Sequence, residues 1–219
     1  MKLKSFGCSL IFGSELADES YPVASDLTWP AHLAKHLNLE YECYARPGSG
    51  NLQILEQVLS QATAFDSQLF VVGWTWIDRF DYCDIQQKQG NNTWKTIIPS
   101  NNDKLSEFYF KHISSEYRDK LTTLIYIKTA IHLLEQRNIR YIMTYMDPWL
   151  FERRWHVTPA VLDLQNQIEH KLTTFDNMNF LDWSRKNHYP ETQLWHPLEL
   201  AHKSAADYLI NNKLTSINS

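Results

Sequence analysis

Gln68-Leu69-Phe70-Val71-Val72-Gly73-Trp74 is the stretch on which the fold turns. From Leu69 onward it is a continuous apolar run of strand length, without the alternation of a strand that faces water on one side. Such a strand is buried on both faces, as in a parallel sheet covered by helices. On either side, short apolar runs alternate with longer amphipathic segments, the pattern of βαβ units. Upstream, Lys2 to Cys8 reads as the first strand, stopping at Gly7-Cys8-Ser9. Glu40 to Ala45 reads as the second, broken by the loop signal Arg46-Pro47-Gly48-Ser49-Gly50-Asn51. Downstream, Tyr141 to Met146 reads as the fourth strand, ended by Asp147-Pro148, and Phe180 to Trp183 as a short fifth.

Helices are expected between these strands. One runs from Trp29 to Leu37, with Thr28 as N-cap and Pro30 in its first turn. Another follows Asn51, where Leu52, Leu55, Val58 and Leu59 have helical spacing. Leu105 to Arg137 contains neither Gly nor Pro and reads as helix in two pieces, followed by helices from Pro159 to Thr174 and from Pro197 to Asn211. The expectation is one α/β domain spanning residues 1–219, three-layered αβα, around a doubly wound parallel sheet of about five strands. The polar, Asn- and Gln-rich stretch at about 85–103 reads as an inserted surface loop or lid.

Composition narrows the function. The 219 residues suit one domain, and 43% hydrophobic with 21% charged residues is ordinary globular usage. A net charge of −4 without a basic block argues against nucleic-acid binding. Cys8, Cys43 and Cys83 have neither the number nor the spacing of a disulfide framework or a zinc site. The mixed N-terminus does not read as a signal peptide, and no window approaches a membrane-spanning run. The expected setting is cytoplasmic, with no membrane partner. The 13% aromatic content, with 8 Trp, suggests that some rings line a binding surface.

In a doubly wound sheet, ligands bind beyond the carboxyl ends of the strands. Ser9 follows the first strand; Gly48, Ser49, Gly50 and Asn51 the second; Gly73, Trp74, Thr75, Trp76 and Arg79 the third; Asp147 and Trp149 the fourth. Asp182, Trp183 and then His196-Pro197 come last. Taken singly, Ser9 reads as a strand-end residue, Gly48-Ser49-Gly50 as a turn and His196 as a structural histidine. Together they are the parts for acyl transfer: a hydroxyl nucleophile, backbone oxyanion donors and a general base. The glycine turn is not followed by the Gly-Lys-Ser/Thr of a phosphate loop, and it lies after the second strand, not the first, so neither nucleotide motif fits. His196 and His202 are not spaced to share a helix face, so no metal site is expected there. Cys8 reads as a small core residue.

These residues resemble the sequence blocks of the SGNH, or GDSL-type, hydrolases. Phe6-Gly7-Cys8-Ser9-Leu10 resembles the first block, with Cys8 where the usual motif has Asp. Pro47-Gly48-Ser49-Gly50-Asn51 resembles the second, Val72-Gly73-Trp74-Thr75 stands where the third, Gly-x-Asn-Asp, would be, and His196-Pro197 resembles the end of the last, Asp-x-x-His-Pro. The resemblance implies a flavodoxin-like α/β fold, ester hydrolysis without a cofactor, Ser9 as nucleophile and His196 as base. It implies an oxyanion hole from the N–H groups of Ser9 and of Gly48 or Gly50.

Two blocks depart from the pattern. Thr75 replaces the third-block asparagine, leaving its hydroxyl or the Asn51 side chain to serve as donor. Gln193 replaces the last-block aspartate, leaving Gln193 itself, Asp182, Glu191 or Glu199 to orient the histidine. Trp74, Trp76, Trp149 and Trp195 are candidates to stack on a sugar or acyl group, and Arg79 to bind an anionic one. The expected activity is hydrolysis of an O-acyl ester, a carbohydrate O-acetyl ester among the candidates. The alternative is a non-catalytic carbohydrate- or small-ligand-binding protein on the same fold, or an assembly protein with a vestigial cleft.

Overall fold

The computed structural model describes residues 1–62, 68–83 and 94–212. Four strands form one parallel sheet: β1 (Lys2–Phe6), β2 (Glu40–Cys43), β3 (Gln68–Trp74) and, later in the chain, a strand over Arg140–Tyr145. Two short strands, β4 (Phe80–Cys83) and β5 (Trp94–Ile97), lie between them in sequence and pair antiparallel in a separate hairpin. The Arg140–Tyr145 strand is therefore β6. The order β2-β1-β3-β6 starts in the middle and winds outward both ways, the flavodoxin-like arrangement. Register is close: Lys2 faces Glu40 on one side and Gln68 on the other, and Leu69 faces Arg140. β3 is buried over its whole length, as its unbroken apolar run requires.

The pleat sends alternate residues into two cores. Leu69 and Val71 face one core, with Trp29 and Leu33 of α2 (Trp29–His36) and Leu209 of α8 (Glu199–Asn212). Phe70, Val72 and Trp74 face the other, with Ile54 and Val58 of α3 (Asn51–Gln61) and Leu124, Ile127 and Ile131 of α5 (Glu116–Gln136). This gives the three layers. The local signals are visible in the caps: Thr28 accepts from Ala31 N at the start of α2, and Ser115 accepts from Arg118 N at the start of α5. Ser115 also marks the break between α4 (Lys104–His112) and α5. The Pro159 helix, α6, ends at Ile168 and gives way to a 3₁₀ turn, Glu169–Lys171. Among the described residues no helix is long and apolar enough to cross a membrane.

Two expectations are corrected. Phe180–Trp183 is not a strand: it opens the helix α7 (Phe180–Lys186), so the parallel sheet has four strands. Asn179 caps that helix by accepting from Asp182 N at 2.8 Å, and its amide donates back to Asp182 Oδ2 at 2.7 Å. This reciprocal cap, unlike the short apolar run, decides for helix. The insertion at about 85–103 is also not all loop. Its second half supplies β5, which pairs Phe80 with Ile97 and Asp81 with Thr96, and Asp103 caps α4. Its residues 85–93 lie outside the described residues.

The end of β1 prepares the site. The chain turns at Gly7 into a single helical turn, α1 (Ser9–Phe12), whose Ile11 lies directly on the sheet end. A Cβ at Gly7 would stand 2.6 Å from Ile11 Cγ1, and one at Gly73, on the neighbouring strand, also 2.6 Å from it. Both positions must be glycine for α1 to sit this close. Gly73→Ala should therefore overpack the seat and cost about 1–3 kcal/mol of unfolding free energy in urea titration. Ile11→Ala removes the obstructing atoms, so the double variant should be less destabilised than the sum of the two singles.

Candidate active site

Ser9 starts α1, with Cys8 at the N-cap. Its N–H is therefore one of the first-turn donors that no intrahelical carbonyl takes. The side chain is mostly buried, at 8% exposure, and Oγ lies 3.0 Å from His196 Nε2. Cys8 is buried in the core, as a small apolar residue would be. His196 sits at the end of a tight loop closed by Thr192. Thr192 N donates to His196 O at 2.9 Å, and Thr192 Oγ1 accepts from the N–H groups of Leu194 and His196 at 3.2 Å each.

The other ring nitrogen, His196 Nδ1, lies 2.6 Å from Glu15 Oε2, across 181 residues of sequence. Neither Gln193 nor Asp182 orients the ring. Gln193 is exposed, and Asp182 is engaged in the α7 cap. Glu191 pairs with Arg185 at 2.9 Å, and Glu199 Oε1 accepts from Ala17 N at 2.9 Å. Glu199 thus ties down the segment that carries Glu15. α1 closes on Gly13, in the left-handed region at φ 84°, and Glu15 is left-handed as well at φ 68°. These two turns send the chain back so that the carboxylate meets the ring.

Glu15 is the residue that sequence reasoning missed. Its signal was an acid shortly after Ser9, but only the fold joins it to His196. Its carboxyl is held below the usual glutamate range, first by the Thr192 hydroxyl, which donates to Oε2 at 2.7 Å, and also by the imidazole. Thr192→Val should move the Glu15 titration upward, read as the side-chain carboxyl ¹³C shift. That depression also makes folding stability depend on pH. A carboxyl with a depressed folded-state value stabilises the fold above its unfolded value, and that contribution is lost as pH falls through the folded one.

The second loop is a turn from Arg46 to Ser49. Ser49 N donates to Arg46 O at 3.2 Å, Pro47 occupies the second position, and Gly48 the third at φ 81°. That is the residue order and backbone of a type II turn. A Cβ on Gly48 would meet nothing within 4 Å, so its left-handed backbone, not crowding, calls for glycine. Gly50 is different. Its N–H donates to Asp81 Oδ1 at 2.9 Å and is not available as an oxyanion donor. The Asn51 side chain is also committed. Its amide donates to Thr75 O at 3.2 Å and Trp76 O at 3.3 Å, and its oxygen accepts from Thr75 N at 2.9 Å. Thr75 Oγ1 is sealed from solvent, without a partner among the described residues, so it does not reach an open site.

The tryptophans divide. Trp74 is fully buried in the core and is not a ligand-stacking surface. Trp76 is half-buried beneath the Arg79 guanidinium, 5.0 Å from its ring centre. Arg79 itself donates to Ser49 O at 2.9 Å, so its strongest contact is with the protein's own backbone. Trp149 and Trp195 are exposed; the first packs on Trp155 and the second beneath Arg185. A cavity of about 670 Å³ is walled by Phe12, on the same helical turn as Ser9, and by Tyr21, Tyr44, Gly48, Trp94 and Thr96; Ser9 and His196 do not line it. Among the described residues no group of His, Cys, Asp and Glu is placed to hold a metal ion.

Comparison with solved structures identifies the architecture. A member of the lipolytic G-D-S-L family from Veillonella parvula superposes with a TM-score of 0.52 at 12% identity, covering 98% of each chain. The chain has the GDSL/SGNH hydrolase fold. The psychrotrophic esterase EstA from Pseudoalteromonas sp., in a structure inhibited by monoethylphosphonate, gives 0.53 at 10% identity, covering 100% of this chain and 99% of that one. A carbohydrate esterase family 2 enzyme from Corynascus thermopiles (Myceliophthora fergusii) gives 0.57 at 12% identity, over 100% of this chain and 67% of that one. No protein-family model matches the sequence, and no curated protein matches it either. Within the SGNH fold, then, Ser9 and His196 stand in contact, and the carboxylate on the ring comes from the loop after α1 and not from the residues before His196.

Proposed function

We propose that the protein is a serine esterase of the SGNH type, acting on O-acyl esters through Ser9, His196 and Glu15. The observation that carries the reading is the continuous contact from Ser9 Oγ to His196 Nε2 at 3.0 Å and from His196 Nδ1 to Glu15 Oε2 at 2.6 Å. With Nδ1–H donated to the carboxylate, the Nε2 lone pair faces the serine hydroxyl. Ser9 Oγ then attacks the acyl carbonyl as its proton passes to Nε2. Glu15 stabilises the imidazolium, which next protonates the departing alcohol. Water attacks the acyl-enzyme by the same route in reverse. The oxyanion is held by the N–H groups of Ser9 and Gly48, since the Gly50 N–H is spent on Asp81.

The cavity beside Phe12 and Gly48, with Tyr21, Tyr44 and Trp94 in its wall, suits a ring-bearing alcohol such as a sugar. The carbohydrate esterase among the structural neighbours is in keeping with that substrate class. Of the rings that the binding-protein reading invokes, Trp74 is in the core, whereas Trp149 and Trp195 are exposed.

The test uses p-nitrophenyl acetate and acetylated oligosaccharides. Ser9→Ala should lower kcat by at least about 10³-fold with its fold retained, and a fluorophosphonate should label wild type but not the variant. Glu15→Gln should cost between about 10² and 10⁴ in kcat. The lower end is expected, because the Glu15 side chain is 38% exposed and water screens it. Hydrolysis by Ser9→Ala at the wild-type rate would refute the reading.

A further inference from the structure

We propose that Arg79, just before β4, and Asp81, within it, clamp the oxyanion loop: they hold the two polar ends of the Ser49–Gly50 peptide and so fix the direction of the Gly48 N–H. The proposal rests on the serine-esterase reading above. Arg79 Nη1 donates to Ser49 O at 2.9 Å, and Gly50 N donates to Asp81 Oδ1 at 2.9 Å. These are the carbonyl and the amide of a single planar unit. Holding both ends leaves that plane no rotation. The next peptide toward the N-terminus is held by Ser49 N on Arg46 O, which closes the turn carrying Gly48. The loop is therefore tied at successive peptides, and its remaining N–H, that of Gly48, has its direction set by the rest.

The clamp is itself well supported. Asp81 is buried, at 6% exposure, and its second oxygen accepts from Gln53 N at 2.9 Å. Thr96, its cross-strand neighbour on β5, donates to Oδ1 at 2.6 Å. Gly50 has no side chain because the carboxylate occupies the place: a Cβ there would lie 2.6 Å from Asp81 Oδ2. Arg79 is aimed by stacking on Trp76. A plain helix cap would explain Asp81 on the first-turn amide of α3, but it gives Arg79 no task. The two contacts on one peptide go beyond capping. The β4–β5 hairpin supplies Trp94 and Thr96 to the cavity wall, so the element that shapes the substrate pocket also sets the oxyanion donor.

Arg79 and Asp81 act here as positioning residues, and their test is a kcat-against-KM split on p-nitrophenyl acetate with amide exchange followed by NMR. Arg79→Met should lower kcat by about 10- to 10²-fold, less than outright loss of an oxyanion donor, with KM little changed. Arg79→Lys keeps a donor and should recover most of that loss. Asp81→Asn should also lower kcat, and the double variant should lose less than the product of the single losses, because both act on one peptide. Exchange at Gly50 N–H should accelerate in each single variant except Arg79→Lys. If Asp81→Asn does not fold, the two Arg79 variants decide. Arg79→Met with native near-UV circular dichroism and kcat within about twofold of wild type would overturn the clamp, as would single losses that multiply. Should Ser9→Ala keep wild-type activity, the serine reading fails separately. The clamp then stands or falls on Gly50 exchange alone, and unchanged protection would refute it.

Discussion

The close approach of α1 to the sheet governs the geometry of the site. Ile11 rests on the backbone of Gly7, just past the end of β1, and of Gly73 on the neighbouring β3, where any side chain would push it away. Protein interiors are packed too tightly to absorb such a shift without cost. Because α1 is one turn long, its seat and the Ser9 hydroxyl cannot move independently. The short helix has little stability of its own and takes its conformation from what lies beneath it. Serine orientation is thus set by sheet glycines that never face the substrate. This gives the third-block glycine a structural reason, although the asparagine that usually accompanies it is absent.

Charges around the site are arranged sparingly. The Glu15 carboxylate accepts from one hydroxyl and one imidazole and remains partly in water. Asp81, in contrast, is buried and accepts from two backbone amides and a threonine. Burial pushes its carboxyl above the ordinary aspartate value, and those hydrogen bonds offset only part of the rise. One acid is placed where it can answer a change of charge on a ring. The other is placed where it holds backbone. His202 shows the same division among histidines. It is fully buried, accepts from Trp29 N at 3.2 Å, and burial holds it neutral, down to about 3, so it serves α2 as a cap.

The sheet was legible in the sequence because its signals are local. The apolar run at Gln68–Trp74, the Thr28 cap and the Pro159 start each depend on neighbours in the chain. Short motifs singled out Ser9 and His196, and the fold brings the two side chains into contact. What could not be read depends on long-range packing. Phe180–Trp183 has too few residues to show a period, and the Asn179–Asp182 cap decided it. Trp74 reads equally well as rim or core, since apolarity does not tell which way a ring points. Gly50 looked like an oxyanion donor because the aspartate that claims its amide lies 31 residues away, on the four-residue strand β4. Glu15 lies 181 residues from its imidazole, so no spacing rule could pair them.

That separation has a consequence for the chain as it is made. Ser9 and Glu15 leave the ribosome long before His196 does. Glu199, which anchors the Glu15 segment through Ala17, comes later still. The sheet can assemble once β6 has emerged, yet the serine then has no imidazole beside it. One of the two cores is also incomplete at that point, because α7 and α8 supply Phe180, Trp183, Ala205 and Leu209 to it. Only when α8 docks against α2 do these distant segments close into one contact. The contact between Ser9 and His196 therefore depends on the C-terminal quarter of the chain, although Ser9 lies at its beginning.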